Sequence, residues 1–333
     1  LPILKSNNLV DWELVNYALP TLGEGFELPR MSEGVWAPSI RVYQDSLWIF
    51  YGMPDEGIYA ISTTDPEGAW SSPQLIKEAK GFIDPCPYWD EEGNGYIVHG
   101  YAKSRIGFKS VLGIFQFMER GVYINGDDTM LFNGHPDHFT IEGPKVYKKN
   151  DYYYIFAPAG GVEYGWQTVL RSENLHGPYE IRIVLQQGSS EVNGPHQGAW
   201  VETEDGKDYF LHFQKKGAYG RISHLQPMEW EDGWPIIGKR VSGENYGEPV
   251  EGGVLPQASL PISLQASDDF SGETLSLIWQ WLGNPIEGAY ALEEGLRLYA
   301  LNQDQAMEFS LWQKSNVLTQ KIIAPSYRIE FFP

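Results

Sequence analysis

Residues 141–156 read IEGPKVYKKNDYYYIF, and this stretch decides the fold. An acidic residue beside Gly and Pro comes first, a polar turn at Asn150-Asp151 follows, and aromatic and β-branched residues end it. A polar turn before such a run predicts a β-hairpin. The same order occurs four times, and the short element before each hairpin is here called a preface: Trp36-Ala37-Pro38-Ser39, Asp84-Pro85-Cys86-Pro87, Glu142-Gly143-Pro144-Lys145 and Pro195-His196-Gln197-Gly198.

The spacing of the prefaces predicts an all-β propeller. The steps from Trp36 to Asp84, Glu142 and His196 are about 48, 58 and 54 residues, which is the period of four-stranded blades. No long segment before position 262 has helical apolar spacing. A β-sandwich also has evenly spaced strands, but it does not explain a common preface. Because the first strand of each blade lines the central channel, the prefaces are expected to converge there.

Composition and charge exclude several classes of function. The 333 residues carry 24 Lys and Arg against 44 Asp and Glu, a net charge of −20. This charge repels phosphate backbones and anionic lipid, so we expect no nucleic acid and no membrane as partner. Aromatic residues make up 14% of the chain and could stack on sugar faces. The one cysteine, Cys86, excludes an internal disulfide and is most simply a small buried side chain.

The pattern changes twice along the chain. We predict a propeller over residues 1–242, a linker rich in Gly, Glu and Pro over 243–265, and a second all-β unit over 266–333. Both ends of the sequence fall within strand-like residues. The first blade and the C-terminal unit are therefore expected to be incomplete.

Two of the prefaces carry an acid, Asp84 and Glu142. Two carboxyl groups that face one pocket are the minimal equipment of a glycosidase, since one protonates the leaving oxygen and another activates water or attacks directly. Each acid taken alone more often belongs to a turn or a loop cap than to a catalytic site. Their recurrence at the same blade position favours the catalytic interpretation.

The other preface residues leave more alternatives open. His196 is either a structural histidine or a site residue, and a single preface histidine argues against tetrahedral zinc. Trp36 would place its ring at the channel mouth or in the core. Arg221 could donate two hydrogen bonds to sugar hydroxyls or pair with a surface acid.

Taken as a set, these motifs resemble glycoside hydrolase family 43. The resemblance covers about residues 1–240 and rests on the four prefaces, on Arg221 ahead of Leu225-Gln226-Pro227, and on the stretch from Trp230 to Pro235. The segments Asp268-Asp269-Phe270 and Trp279-Gln280-Trp281 resemble the start of the β-sandwich that follows the propeller in many xylosidase- and arabinofuranosidase-type members.

The resemblance implies a five-bladed β-propeller, with its first blade incomplete here, followed by part of a β-sandwich. It further implies an exo-acting enzyme that hydrolyses terminal pentoses with inversion. By motif, Glu142 would be the general acid, and Asp84 would tune the pKa of that acid and orient it. The resemblance also implies a substrate-binding role for four residues: Trp36, Arg221, Trp166 and His196. It further implies a calcium or similar ion beside His196 in the central channel.

The sequence departs from the family in one respect. The general base of the family is an Asp in an Asp-Pro motif near the N-terminus, and the segment Ser6 to Leu14 resembles a later part of that blade, so Asp11 is not this base. Without a base, an inverting enzyme loses general-base catalysis, which is worth roughly 10²–10⁴-fold. We expect the base upstream of Leu1 and the chain to be a fragment of a working enzyme.

The sequence leaves the exact activity open between three hypotheses. The first is removal of terminal α-L-arabinofuranosyl residues from plant cell-wall polysaccharide, and the second is a β-xylosidase. The third is a sugar-binding propeller without catalysis, which the missing base motivates. The expected partners are arabinose- or xylose-containing oligo- and polysaccharides. A bacterial periplasmic or secreted location is slightly favoured.

Overall fold

The computed structural model describes residues 1–23, 26, 33–253, 265–300, 316–322, 324 and 326–330. Nearly all regular structure in these residues is β-strand. The strands before residue 150 are β1 (Pro2–Lys5), β2 (Glu13–Tyr17), β3 (Trp36–Tyr43), β4 (Ser46–Met53), β5 (Gly57–Thr63), β6 (Gln74–Glu78), β7 (Phe82–Trp89), β8 (Gly95–Tyr101), β9 (Val111–Glu119), β10 (Val122–Tyr123), β11 (Thr129–Asn133) and β12 (Lys145–Lys149).

The remaining strands are β13 (Tyr152–Ala159), β14 (Trp166–Ser172), β15 (Glu180–Leu185), β16 (His196–Glu202), β17 (Asp208–Lys215), β18 (Arg221–Glu231), β19 (Trp234–Ile237), β20 (Lys239–Arg240), β21 (Gly247–Glu248), β22 (Gln280–Trp281), β23 (Tyr290–Leu292), β24 (Leu296–Leu298) and β25 (Leu318–Thr319). A short helix α1 (Lys103–Ile106) and a 3₁₀ turn (Gly217–Tyr219) interrupt them.

Four sheets in the described residues have the order of propeller blades. The first runs β3-β4-β5-β6, the second β7-β8-β9-β10 with β11 also on β9, the third β12-β13-β14-β15, and the fourth β16-β17-β18-β19. The hairpins expected from the polar turns at residues 44–45, 90–94, 150–151 and 203–207 are all present. The all-β, propeller-like prediction is therefore confirmed, while the number of five blades stays a prediction.

The core lies between consecutive sheets. Phe50 of the first sheet shares a cluster of buried apolar residues with Phe115 of the second, Val98 of the second shares one with Ile155 of the third, and Phe156 of the third shares one with Phe210 of the fourth. The second and third sheets thus have a neighbouring sheet on each face, as in a propeller.

Three of the four Pro- and Gly-containing prefaces form β-bulges at the beginning of the inner strands. The register shifts between Trp36 and Ser39 in β3, between Ile83 and Cys86 in β7, and between His196 and Ala199 in β16. A bulge inserts an extra residue and re-aims the side chains beside it. The Pro and Gly residues of the prefaces therefore determine where the polar side chains point.

The chain divides by its contacts into two compact units. The propeller sheets lie in a unit of residues 35–65 and 70–256, whereas residues 1–34, 66–69 and 257–333 form the other. The predicted domain boundaries, with a propeller over 1–242 and a second all-β unit over 266–333, stay predictions. The predicted linker over 243–265 contains β21, which pairs with β15 and β20, because its Gly-rich sequence still offers backbone groups to the third sheet. Residues 254–264 of that linker lie outside the described residues.

Hydrogen bonds hold the smaller unit together. The amide of Asn16 in β2 donates to the carbonyl oxygens of Pro66 and Gly68 at 3.0 and 2.7 Å. The hydroxyl of Tyr17 donates to the Leu277 carbonyl oxygen at 2.9 Å and accepts from the side-chain amide of Gln280 at 2.7 Å. None of the helices in the described part of the chain has the length and apolar content to span a bilayer.

Candidate active site

Asp84 lies in the bulge of β7 with an unusual backbone. Its φ is +55°, in the left-handed region that non-glycine residues rarely adopt, and it is only 3% exposed. The backbone N–H of Gly143 donates to Asp84 Oδ2 at 2.8 Å, and the side-chain amide of Gln197 donates to the same oxygen at 3.0 Å. The Asp84 carboxyl is thus held directly beside the residue that follows Glu142.

Glu142 comes just before β12 and is held by His196. The Nε2 atom of His196 lies 2.8 Å from Glu142 Oε1, and the Glu142 side chain keeps 25% of its surface exposed. The Glu142 backbone N–H donates to the carbonyl oxygen of Pro158 at 3.1 Å, which anchors the segment on β13. Because His196 itself is buried, it fixes one oxygen of a carboxyl group that remains accessible to water.

Burial and a neighbouring negative charge act on Asp84. Burial, followed by the charge of Glu142, raises the pKa of Asp84 to about 6, while Lys145 and the two hydrogen bonds from Gly143 and Gln197 oppose the shift. Desolvation disfavours the charged form of a carboxyl group, and a like charge nearby adds to the effect. Two carboxyl groups that interact in this way have the electrostatics expected of a catalytic pair.

Buried cations lie behind the two acids. The Lys145 ammonium is within 3.4 Å of the carbonyl oxygens of Gly143 and Pro144, and burial lowers its pKa. The Sγ atom of Cys86 accepts hydrogen bonds from Arg41 at 3.2 Å and from the Val146 backbone N–H at 3.3 Å. Cys86 is fully buried, as the sequence predicted. These contacts tie the beginning of β12 to β7 below the site.

The Phe213 ring lies between Arg221 and His196 and contacts both. The guanidinium of Arg221 lies 4.8 Å from the centre of the Phe213 ring, and Phe213 contacts the His196 ring edge-on at 5.5 Å. Arg221 begins β18 and is exposed. A sugar-binding arginine needs such free donors, so the predicted role is compatible with this position and stays a prediction.

Trp36 and Trp166, both predicted to bind sugar, have different surroundings in the structure. Trp36 begins β3 opposite Gly52 and carries the Arg105 guanidinium at 5.2 Å from its ring. Trp166 packs edge-on against Phe139 at 5.4 Å and joins the apolar cluster between the second and third sheets. Their predicted sugar-binding roles stay predictions, and the packing of Trp166 favours a core role.

The predicted calcium site depends on His196. Its Nδ1 atom is buried and has no hydrogen-bond partner among the described residues, which leaves one donor atom for a water molecule or an ion. Within the described residues, no group of three or more His, Cys, Asp or Glu side chains could hold a metal. Calcium takes about six to eight oxygen ligands, so one imidazole nitrogen does not by itself form a calcium site. The ion stays a prediction.

Comparison with known proteins identifies the family. Residues 1–235 match the model of glycosyl hydrolases family 43. The chain belongs to this family. Residues 267–331 match the β-xylosidase C-terminal concanavalin A-like domain, so the C-terminal β-sandwich of this family-43 chain is confirmed as well.

Similar proteins are named for xylose and arabinose chemistry. A Xylanibacter ruminicola protein whose name proposes a β-xylosidase is 37% identical over 97% of this chain and 61% of its own length. A non-reducing end α-L-arabinofuranosidase of Bacteroides ovatus is 27% identical over 88% of this chain and 57% of its own. The crystal structure of a xylan β-1,4-xylosidase from Bacillus halodurans has a TM-score of 0.78 at 25% identity and covers 91% of this chain and 62% of that one. The chain thus spans about three fifths of the length of these relatives.

Sequence reasoning missed two residues of the site. Gln197 and Lys145 belong to the prefaces, but the sequence analysis assigned roles only to their neighbours His196 and Glu142. Gln197 contacts Asp84 from a left-handed backbone with a φ of +45°, and Lys145, which is 7% exposed, acts on Asp84 through its charge. A polar residue next to a bulge-forming Pro or Gly was the signal that could have found them.

Proposed function

We propose that the complete protein is an exo-acting, inverting glycosidase that removes terminal pentosyl residues from xylose- and arabinose-containing polysaccharide. The observation that carries the proposal is the meeting of Asp84, Glu142 and His196, from three consecutive sheets, around one accessible carboxyl group. A sugar-binding propeller without catalysis needs no such charge arrangement.

Glu142 would act as the general acid. When Nε2 of His196 carries the ring proton, it donates to Oε1 and leaves Oε2 of Glu142 free to hold the acid proton. That proton passes to the glycosidic oxygen as its bond to the anomeric carbon breaks, while a water molecule attacks from the opposite face. The ionised Asp84 next to Gly143 would favour retention of this proton until the substrate is bound, because two neighbouring carboxylates repel each other.

Inversion requires a second carboxylate as general base, about 6.5–9.5 Å from the acid. The proposal assigns no residue of the present chain to this base. It assigns to the present chain the acid, its partner carboxyl and its positioning histidine.

Among the substrates, a terminal β-D-xylosyl residue is the first candidate. The relatives are mainly named as β-xylosidases, and the relative with 37% identity is among them. The α-L-arabinofuranosyl residue predicted from the sequence is the second candidate, supported by the Bacteroides ovatus relative. The two sugars present similar hydroxyl patterns, so the same site could accept both.

The test compares the complete protein on the 4-nitrophenyl glycosides of β-D-xylose and α-L-arabinofuranose, with product anomers followed by NMR. We expect kcat/KM to be at least tenfold higher on the xyloside, with α-xylose as the first product. A reversed preference would replace the xylosidase proposal by the arabinofuranosidase one. Binding of either sugar without turnover would support the non-catalytic hypothesis instead.

A further inference from the structure

We propose that Gln197 is a positioning residue, whose side-chain amide holds Oδ2 of Asp84 and so fixes this carboxylate beside Glu142. The inference deepens the proposed function and rests on it for its catalytic consequence. Gln197 belongs to β16 of the fourth sheet, Asp84 to β7 of the second, and Gly143 to the segment before β12 of the third. One carboxylate oxygen thus joins three sheets.

The hydrogen bonds define the orientation of the carboxylate. Gly143 N–H at 2.8 Å and Gln197 Nε2 at 3.0 Å both donate to Asp84 Oδ2. A carboxylate oxygen has two lone pairs, and both are then occupied. Two donors from different sheets at one oxygen prevent rotation of the carboxyl group, which a single donor would allow.

The backbone at Gln197 is arranged for this contact. Its φ of +45° lies in the left-handed region, inside the bulge between His196 and Ala199. Side chains other than Gly and Asn rarely adopt this conformation, and such outliers cluster at functional sites. The bulge lets two successive residues serve both acids, since His196 contacts Glu142 and Gln197 contacts Asp84.

Gly143 leaves the space that Gln197 occupies. A Cβ atom added at Gly143 would lie 2.5 Å from Oε1 and 2.6 Å from Cδ of Gln197, and the φ of Gly143 is +58°. Both facts favour glycine here. The two donors of Asp84 are therefore matched to each other, because the residue that supplies one also makes room for the other.

The side-chain amide of Gln197 stabilises the ionised form of Asp84. Gln197 and Lys145 favour the ionised form, whereas burial and the charge of Glu142 favour the protonated form. Removal of the amide donor therefore raises the pKa of Asp84 further, and the site loses its ionised Asp84 at a higher pH. A merely structural glutamine would leave the pH dependence unchanged.

The first experiment measures kcat/KM against pH for Gln197→Met in the complete protein, with 4-nitrophenyl β-D-xyloside and α-L-arabinofuranoside as substrates. We expect the acidic limb to move up by about 1 pH unit, the effect of one hydrogen bond to a charged group. Gln197→Glu should move it further, because a second carboxylate repels Asp84. Gln116→Met, which removes an amide bonded to the Met118 carbonyl oxygen in the second sheet, is the matched control and should not move it.

The second experiment does not require activity. In Gln197→Met, the equilibrium constant for unfolding should increase about tenfold more at pH 8, where Asp84 is ionised, than at pH 4, where it is protonated. The same substitution in an Asp84→Asn background should lose this pH dependence.

The outcomes separate the two proposals. An inactive wild-type protein whose Gln197→Met variant still shows the pH-dependent loss of stability overturns the proposed function and supports the contact between Gln197 and Asp84. An active protein whose pH profile and pH-dependent stability are both insensitive to Gln197→Met overturns the inference and leaves the function in place.

Discussion

The propeller sheets contain two histidine–carboxylate pairs that look alike at first. His196 lies 2.8 Å from Glu142, and His99 lies 2.9 Å from Asp128. Both histidines are buried, and the two carboxylate side chains are exposed to 25% and 22%. Neither the distance nor the exposure distinguishes a site from a structural contact.

The remaining hydrogen bonds make the difference. Asp128 also accepts from the Tyr101 hydroxyl, and the other ring nitrogen of His99 lies 3.0 Å from the Gly100 carbonyl oxygen. In the first pair, by contrast, Nδ1 of His196 is buried and has no hydrogen-bond partner in the part of the chain that the structure describes, and the other neighbour of Glu142 is a second acid. Satisfied polar groups stabilise a fold, whereas unsatisfied capacity next to an accessible carboxyl group is typical of a functional site.

The largest expected effect is a loss of kcat/KM on substitution of Glu142 that substitution of Asp128 does not cause. Glu142→Gln keeps the size of the side chain but removes the transferable proton, so kcat/KM on terminal xylosides should fall by about 10²–10⁴-fold. Asp128→Asn, the matched change in the other pair, should leave kcat/KM within about twofold. Steady-state kinetics of both variants check this, and equal losses would remove the distinction drawn here.

Asp84→Asn should separate activity from stability. The folded-state pKa of Asp84, about 6, lies above the ordinary value of 3.8. Its contribution to stability is therefore fully present below about pH 4 and is lost as the pH rises through about 6, a loss of up to about 3 kcal/mol. We expect the variant to lose at least tenfold in kcat and to gain stability at pH 8 but not at pH 4. Denaturant unfolding at both pH values measures the gain; a loss of stability at pH 8 would contradict the assigned burial cost.

The sequence predicted the scaffold better than the site. Pro and Gly beside Asp84, Glu142 and His196 predicted that each lies at or just before the beginning of an inner strand, because these residues form turns and bulges through their own backbone limits. The contact of Gln197 with Asp84, and the exclusion of a Cβ at Gly143, depend on three sheets that meet only in the folded chain. The grouping of residues 1–34 with the C-terminal segment also depends on long-range packing, such as Tyr17 on Gln280.

Asp128→Asn should act on stability alone. The substitution weakens the hydrogen bonds from His99 and Tyr101, and a hydrogen bond to a charged group is worth about 1.5–3 kcal/mol. We expect a loss of this size in the free energy of unfolding with kcat unchanged. Chemical denaturation in urea measures it. A stable variant with lowered kcat would make this second pair part of the site.

The smallest expected effect concerns the buried cation. Lys145→Met removes a charge that favours the ionised Asp84, so the pKa of Asp84 should rise and the acidic limb of kcat/KM should move up by less than about 1 pH unit. Lys148→Met, on the same strand but exposed and paired with Glu91, is the control. An equal shift in both variants would attribute the effect to the general field of the protein.

The central claim, that Glu142 protonates the leaving group, is tested most directly by the dependence of rate on that group. The measurement compares Glu142→Ala with the wild-type complete protein on xylobiose, whose leaving alcohol needs a proton, and on 2,4-dinitrophenyl β-D-xyloside, whose leaving phenolate does not. The account predicts a loss of at least about 10²-fold on xylobiose and a loss more than about tenfold smaller on the dinitrophenyl glycoside. Equal losses on the two substrates would contradict the assignment of Glu142 as the acid.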